Sequence, residues 1–213
     1  WFKYSKEELL GDKYDPNDYK KVDDILDVWF DSGCTHSFVL DEKEDQMWPA
    51  SLYLEGTDQH RGWFHSSLLE SCGTRGIAPY ESVLTHGFVL HEDGLKMSKS
   101  SANIVSPDEI INKSGADILR LWVASSDYSE DLKIGPEIMK SNVDSYRRLR
   151  NTLRFILGNL SEFNDNEKIS YAELSELDQY ILSQLEELKK EVIENYKIFE
   201  YQKVFSAIFN FCT

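Results

Sequence analysis

The sequence LYLEGTDQHRGWFHSSLLESCGTRGIAPYESVLTHGFVL, residues 52–90, decides the fold of this chain. Residues 52–56 and 83–90 are short apolar runs of the kind that form strands. The segment between them carries apolar side chains at helical spacing, namely Phe64, Leu68, Leu69 and Cys72. Strand, helix and strand in succession form a βαβ unit, and its right-handed crossover predicts a parallel α/β sheet.

The neighbouring segments extend this pattern in both directions. Upstream, the apolar run at residues 25–30 ends at Asp31-Ser32-Gly33 and predicts another strand that enters a tight turn. Past residue 100 the apolar residues recur with helical periodicity. The expected helical segments start at Ser106-Pro107 and continue over residues 116–124, 143–160, 174–196 and 204–211. We therefore expect an α/β half followed by a helical half, with the change near residue 125.

The composition excludes several classes of protein. With 23 Lys plus Arg against 38 Asp plus Glu, the chain of 213 residues has a net charge of −15, so any nucleic-acid contact must be a local basic patch. The hydrophobic share of 41% is sufficient for a core and argues against disorder. No apolar run reaches the roughly 18–20 residues of a membrane helix, and no leader-like pattern follows Trp1, so we expect neither a membrane span nor a signal peptide.

The cysteines and histidines do not form a metal-binding pattern. Three widely spaced cysteines predict a reducing compartment rather than a disulfide framework or a Cys-based zinc site. His60 and His65 are five residues apart, which does not align them on one helical face, so we expect no metal site. Cys34 and His36 are close in sequence, and we interpret them as buried or pocket-lining rather than nucleophilic.

The segment KMSKS, residues 96–100, is the strongest candidate for phosphate binding. Lys96 and Lys99 are compact, mobile charges among hydroxyl side chains, and such a loop can close over a polyphosphate. A solvated surface loop is the alternative. The context favours phosphate, because residues 54–63 and 86–89 each follow an apolar strand, and open α/β sheets bind ligands at the carboxyl ends of their strands.

Several segments, in order and spacing, resemble the isoleucyl branch of the class I aminoacyl-tRNA synthetases. They are DVWFDSG at 27–33, EGTDQHRGW at 55–63, THGF at 85–88, KMSKS at 96–100, GADILRLW at 115–122 and YRRLRN at 146–151. The resemblance is strong over residues 20–165. Over the rest of the chain it is weak and consists only of helical periodicity. It implies the C-terminal half of a Rossmann-like catalytic domain over residues 1–125, with the KMSKS loop. Connecting helices and the start of an all-α anticodon-binding bundle would occupy residues 126–213.

The resemblance implies a ligase that activates L-isoleucine with ATP and Mg²⁺ and transfers it to tRNA(Ile). The residues that it places at the aminoacyl-adenylate are Glu55, Gly56, Asp58, Gln59, Trp63 and Trp29. Gly56 and Asp58 would lie near the ribose. The isoleucine side of the pocket would be shaped by Gln59, Trp63 and Trp29. The residues that it places along adenine, mostly through their backbone, are His86, Gly87, Phe88 and Val89. Lys99 would bind the ATP phosphates with help from Lys96. Ala102 stands where the family usually has glycine, and we expect it to make the hinge of the loop stiffer.

The resemblance also implies that this chain is an internal fragment. The family's His-Ile-Gly-His tetrapeptide, its first strand and most of its editing insertion would lie upstream of Trp1. The family's zinc-binding cysteines would lie downstream of Thr213, so zinc is expected only outside this chain. We expect the fragment alone to be inactive and the full-length protein to act as a cytoplasmic monomer.

Three questions remain open at the level of sequence. A non-catalytic adenylate- or tRNA-binding fragment is an alternative to the ligase, although Lys96, Lys99 and Glu55 favour catalysis. A valyl or leucyl sister enzyme is a further alternative, which the DSG and DQHRGW runs disfavour. On the predicted helix over residues 143–160, Arg147, Arg150 and Arg154 form either a solvated face or a strip that contacts tRNA phosphates.

Overall fold

The computed structural model describes residues 1–98 and 103–213, which divide into two compact units, Trp1–Thr85 and His86–Thr213. The boundary between these units follows packing. The functional boundary expected near residue 125 stays a prediction. Lys99 and Ala102, both singled out in the sequence, lie outside the described residues.

The first unit contains the predicted strand–helix–strand segment. Its elements are α1 (Lys6–Leu10), α2 (Val28–Gly33), β1 (Tyr53–Gly56), α3 (Trp63–Arg75) and β2 (Val83–His86). β1 and β2 are neighbours in one sheet, and a parallel bridge joins Ala50 and Tyr80 just before them. The predicted βαβ order is therefore confirmed, with α3 as the crossover between the two strands.

The strand predicted at residues 25–30 is wrong, because the chain there forms the start of α2. The Asp27 carboxylate accepts a hydrogen bond of 2.8 Å from the backbone N–H of Trp29 and caps the helix. Ile25 is 81% exposed and Val28 is 70% exposed, so this apolar run has none of the burial that a strand of the core requires. A short apolar run does not distinguish helix from strand, and here the local cap decided in favour of the helix.

The core of the first unit is built around Tyr53. Its ring stacks on Trp63 with centroids 4.3 Å apart, and its hydroxyl lies 3.0 Å from the Ser67 hydroxyl. Tyr53 and Phe64 are each only 4% exposed. Burial also raises the pKa of Tyr53, so that the phenol stays neutral. This packing fixes the N-terminal turn of α3 against β1.

The second unit combines a small sheet with five α-helices in the described part of the chain. Its elements are β3 (Val89–His91), α4 (Pro107–Ser114), α5 (Ala116–Ser125), β4 (Leu132–Ile134), α6 (Pro136–Asn159), α7 (Glu176–Lys197) and α8 (Tyr201–Cys212). β3 and β4 are parallel, with Val89 opposite Leu132. The strand predicted at residues 83–90 is thus two strands, because the chain leaves β1 after His86 and pairs with β4 instead.

A buried cluster lies beneath the sheet and helices of the second unit. Ile110, Trp122, Ile134 and Met139 form its centre, and Met97 packs against it from the lysine segment. The Trp122 indole N–H donates to the Lys133 carbonyl at 3.2 Å, so its polar atom is satisfied within the core. The cluster therefore anchors the start of the KMSKS segment through its methionine.

The helices predicted from amphipathic stripes are all present, but their burial is uneven. Leu157 on α6 and Leu177 on α7 are each 69% exposed. By contrast, α8 packs against α7 and buries Val204. Within the described residues, no helix combines the length and apolarity that crossing a membrane requires.

Candidate active site

The first group of candidate residues surrounds the start of α3. The Trp63 indole N–H donates to the Ser32 carbonyl at 2.9 Å, which ties α3 to α2. The Trp63 backbone N–H donates to Gln59 Oε1 at 3.0 Å, and the Gln59 amide in turn donates to Asp58 Oδ2 at 3.2 Å. These bonds fix the orientation of both the indole and the amide.

Trp29 completes this group through Gly62. A Cβ atom added to Gly62 would lie 2.7 Å from Gln59 Oε1 and 3.0 Å from Trp29 Cη2. Trp29 remains 45% exposed, so its ring offers a free surface. The structure thus brings Trp29, Gln59 and Trp63 together, in an arrangement of two indoles and one amide that suits a small apolar ligand with a polar end.

The residues expected near the adenylate lie at the end of β1. Glu55 is exposed, whereas Gly56 is buried at the last position of the strand. Asp58 is exposed in the short 3₁₀ turn that follows, where its carboxylate contacts Gln59. The two carboxylates are therefore open to solvent at the carboxyl end of a strand, which is where ligands bind in open α/β sheets.

The second group comprises the residues expected along adenine. The Gly87 N–H donates to the Tyr128 carbonyl at 2.9 Å, and the Phe88 N–H donates to Asp131 Oδ1 at 2.7 Å. His86 is half-buried, with Nδ1 at 2.8 Å from the Gly87 carbonyl, and the Phe88 ring is 45% exposed. Val89 follows as the first residue of β3. An exposed aromatic ring beside a rigid backbone is a suitable surface for a base.

The lysine segment lies beside this group. The Lys96 ammonium is 5.8 Å from the centroid of the Phe88 ring. The segment is attached to β3 by a turn in which the His91 N–H donates to the Leu95 carbonyl at 3.0 Å, and Gly94 takes the positive φ of 84° that this turn requires. The structure therefore brings Lys96 and Phe88 together.

The three arginines expected to contact tRNA are all exposed on α6. Arg147 pairs with Asp144 at 3.5 Å, and Arg150 lies 3.5 Å from the Tyr146 hydroxyl. Because these contacts lie at the surface, they hold the guanidinium groups only weakly. The strip is accessible to an anionic partner.

Cys34 and His36, which are close in sequence, are held by the surrounding fold. The Cys34 thiol donates to Glu70 Oε2 at 3.1 Å, and burial together with that carboxylate raises its pKa to about 11, which leaves too little thiolate for nucleophilic chemistry. His36 is buried, and its burial lowers its pKa. Among the described residues, no group of three or more His, Cys, Asp or Glu side chains is arranged to hold a metal ion.

Sequence reasoning did not single out the residues that support these two groups. The Ser32 carbonyl orients Trp63, and Asp131 with Tyr128 holds the adenine-side segment. The glycine at position 87 is the sequence signal that another backbone segment can approach closely, because glycine has no Cβ atom. The signal does not identify which segment that is.

The chain is similar to one protein family and to several known proteins. Residues 1–135 match the model for class I tRNA synthetases of the I, L, M and V group. Over its whole length, the chain is 55% identical to an isoleucine–tRNA ligase of Pelagibacter ubique and covers 24% of that protein. It is also 55% identical to an isoleucine–tRNA ligase of Ruegeria pomeroyi, with 98% of this chain and 22% of that protein covered. The chain therefore spans about a quarter of the length of the curated relatives it matches.

Solved structures show the same fold at lower identity. A LeuRS of Agrobacterium radiobacter, in a ternary complex with tRNA and LeuAMS, superposes with a TM-score of 0.68 at 19% identity, over 76% of this chain and 22% of that one. A methionyl-tRNA synthetase of Mycobacterium tuberculosis, in complex with methionyl-adenylate, gives 0.63 at 23% identity, over 83% and 35%. The family match over more than half of the chain, the close relatives and the shared fold together establish that this chain belongs to the class I tRNA synthetases.

Proposed function

We propose that this chain is part of an isoleucine–tRNA ligase, which activates L-isoleucine with MgATP and then charges tRNA(Ile). The observation that carries the proposal is the 55% identity to isoleucine–tRNA ligases across the whole chain. It is supported by the position of Lys96 beside Phe88 and by the grouping of Trp29, Gln59 and Trp63. The protein would act as a monomer in the cytoplasm.

The chemistry assigned to these residues has two steps. The isoleucine carboxylate attacks the α-phosphorus of ATP, and the bond to pyrophosphate breaks to leave isoleucyl-AMP. A ribose hydroxyl at the end of the tRNA then attacks the aminoacyl carbonyl, and AMP leaves. Lys96 and Lys99 would stabilise the negative charge that develops on the departing pyrophosphate, because a preorganised cation acts most strongly where charge develops.

The binding roles follow from the two groups of residues. Trp29, Gln59 and Trp63 would hold the amino acid, with Glu55, Gly56 and Asp58 beside the adenylate. His86, Gly87, Phe88 and Val89 would hold adenine. Neither the valyl nor the non-catalytic alternative gains support from the relatives, which are named isoleucine–tRNA ligases at 51–55% identity.

The proposal is tested by assaying the full-length protein for amino-acid-dependent ATP–pyrophosphate exchange and for charging of tRNA(Ile). We expect exchange to be strongest with isoleucine and weaker with valine. Exchange that prefers valine or leucine would assign the chain to a sister enzyme. Binding of ATP without exchange for any amino acid would favour the non-catalytic alternative.

The 213-residue chain on its own is expected to show no isoleucine-dependent exchange. In the family that this chain resembles, a histidine pair contacts the triphosphate on the side opposite the lysine loop, and the 213 residues do not contain that pair. Charge stabilisation from one side does not position both the nucleophile and the leaving group. The same exchange assay on the purified chain checks this expectation. Robust turnover would show that the lysine segment and its neighbours are sufficient.

Charge reversal of the arginine strip is expected to weaken binding of tRNA. The triple change Arg147→Glu, Arg150→Glu and Arg154→Glu should raise the Kd for tRNA at least tenfold. If each arginine contacts one phosphate, the negative slope of log K against log salt should also become shallower by about three. Filter binding at several salt concentrations measures both quantities. The control reverses three exposed lysines outside the strip, Lys168, Lys189 and Lys190. Equal effects in both variants would mean that the strip is simply solvated.

A further inference from the structure

The segment that carries the adenine-side residues is held in place by residues 128–132. Beyond the bonds from Gly87 to Tyr128 and from Phe88 to Asp131, the Leu132 N–H donates to the Phe88 carbonyl at 2.8 Å. The two backbones are so close that a Cβ atom on Gly87 would overlap the Glu130 carbonyl. Any displacement of residues 128–132 must therefore move Gly87 and Phe88 as well.

Tyr128 also reaches a distant part of the second unit. Its hydroxyl donates to the Phe199 carbonyl at 2.6 Å, across 71 residues of sequence. Phe199 lies at the corner between α7 and α8 and has a φ of 62°; it is the one non-glycine residue with positive φ in the described part of the chain. That conformation is disfavoured for side chains with a Cβ atom and persists only where the surroundings enforce it.

An aromatic cluster lies beside this part-buried hydrogen bond. Tyr201 contacts Tyr128, Tyr196 and Phe199, with ring centroids 6.2, 5.6 and 6.3 Å apart, respectively. Burial raises the pKa of Tyr128, an effect strengthened by the nearby Tyr201, Glu200 and Asp127. The phenol is therefore a neutral donor throughout the physiological pH range, and the bond persists there.

We propose that Tyr128 is a positioning residue that couples the α7–α8 corner to the adenine subsite. One residue bonds to Gly87 through its backbone and to Phe199 through its side chain, so the conformation of the corner sets the position of the adenine-side backbone. This inference rests on the proposed function, in which residues 86–89 bind ATP. It assigns to the helical part of the chain an influence on nucleotide affinity.

The test is a double-mutant cycle in the full-length protein, with Tyr128→Phe and Phe199→Gly. The first change removes only the hydroxyl, and the second keeps the carbonyl but removes the ring that contacts Tyr201 and frees the backbone of the corner. We expect Tyr128→Phe to raise the Kd of ATP, measured by calorimetry, and its KM in pyrophosphate exchange by about threefold to tenfold, the range of one neutral hydrogen bond. The kcat and the KM for isoleucine should stay unchanged.

Coupling also requires that the two changes are not additive. Phe199→Gly should raise the Kd of ATP in the wild-type background but have little further effect in the Tyr128→Phe background. Tyr201→Phe, which removes a hydroxyl from the same ring cluster, is the matched control and should leave the Kd of ATP unchanged. A purely structural role would lower the melting temperature without changing the Kd of ATP.

The outcomes distinguish this inference from the proposed function. An unchanged Kd of ATP in Tyr128→Phe, or additive effects in the cycle, would overturn the coupling even in a fully active enzyme. Absence of isoleucine-dependent exchange in the wild-type protein would instead contradict the proposed function, while the calorimetric Kd of ATP would still decide whether Tyr128 positions the nucleotide site.

Discussion

Replacing Lys99 by alanine in the full-length protein is expected to slow isoleucyl-adenylate formation by about 10²–10³-fold, the usual cost of removing one preorganised donor from a transition state. The affinity for isoleucine should hardly change, because in the proposed mechanism the ammonium group would interact with charge that develops on the departing pyrophosphate. We therefore expect kcat to fall and the dissociation constant of isoleucine to stay almost unchanged. Pyrophosphate exchange and equilibrium binding of isoleucine measure the two quantities separately.

The matched control for this change is Lys113→Ala, which removes an exposed lysine from the last turn of α4. It should leave the exchange rate within about a factor of two of the wild type, since exposed charges contribute little. Lys96→Ala is expected to give an intermediate loss, because Lys96 lies beside Phe88 and the resemblance gives it only an assisting role at the phosphates. A decrease of less than about threefold for Lys99→Ala would contradict the role assigned to the loop.

Truncation of Trp63 to alanine should have the second largest effect, on amino-acid recognition. The change removes the stacking on Tyr53 and the bond to the Ser32 carbonyl, so kcat/KM for isoleucine should fall at least tenfold. Preference for isoleucine over valine should fall as well, since one methylene in a hydrophobic pocket is worth only about 1–3 kcal/mol and depends on tight walls. Affinity for tRNA should not change.

Two smaller substitutions separate recognition from stability, because Trp63 is half-buried and its truncation also costs up to about 3–5 kcal/mol of folding free energy. Trp63→Phe keeps most of the ring and loses the bond to Ser32. Gly62→Ala leaves Trp63 intact but places a methyl group against Trp29 and Gln59. Both variants should raise the KM for isoleucine while remaining folded by circular dichroism. If both bind isoleucine as the wild type does, these residues do not form the amino-acid pocket.

The sequence predicted the elements whose signals are local. The run at residues 61–74 predicted α3, and the amphipathic stripes predicted α6 and α7, because a helix closes its own hydrogen bonds within four residues. The candidate residues of the KMSKS segment and of residues 55–63 were likewise identified from their own spacing and from the resemblance that they carry. Their roles stay predictions until the variants above are measured.

Only the tertiary structure decided which distant segments meet. Residues 83–90 read as one strand, yet the backbone breaks at Gly87 because its partners lie near residues 128–132. The exposed leucines of α6 and α7 are a second example. Apolar residues at helical spacing predict a helix, but they do not predict which segment packs against it. What the sequence predicted by itself was the longer helices and the side chains that are candidates for the site. The pairing of Gly87 with Tyr128, and of Tyr128 with Phe199, was decided by packing between segments far apart in the chain, which no local pattern encodes.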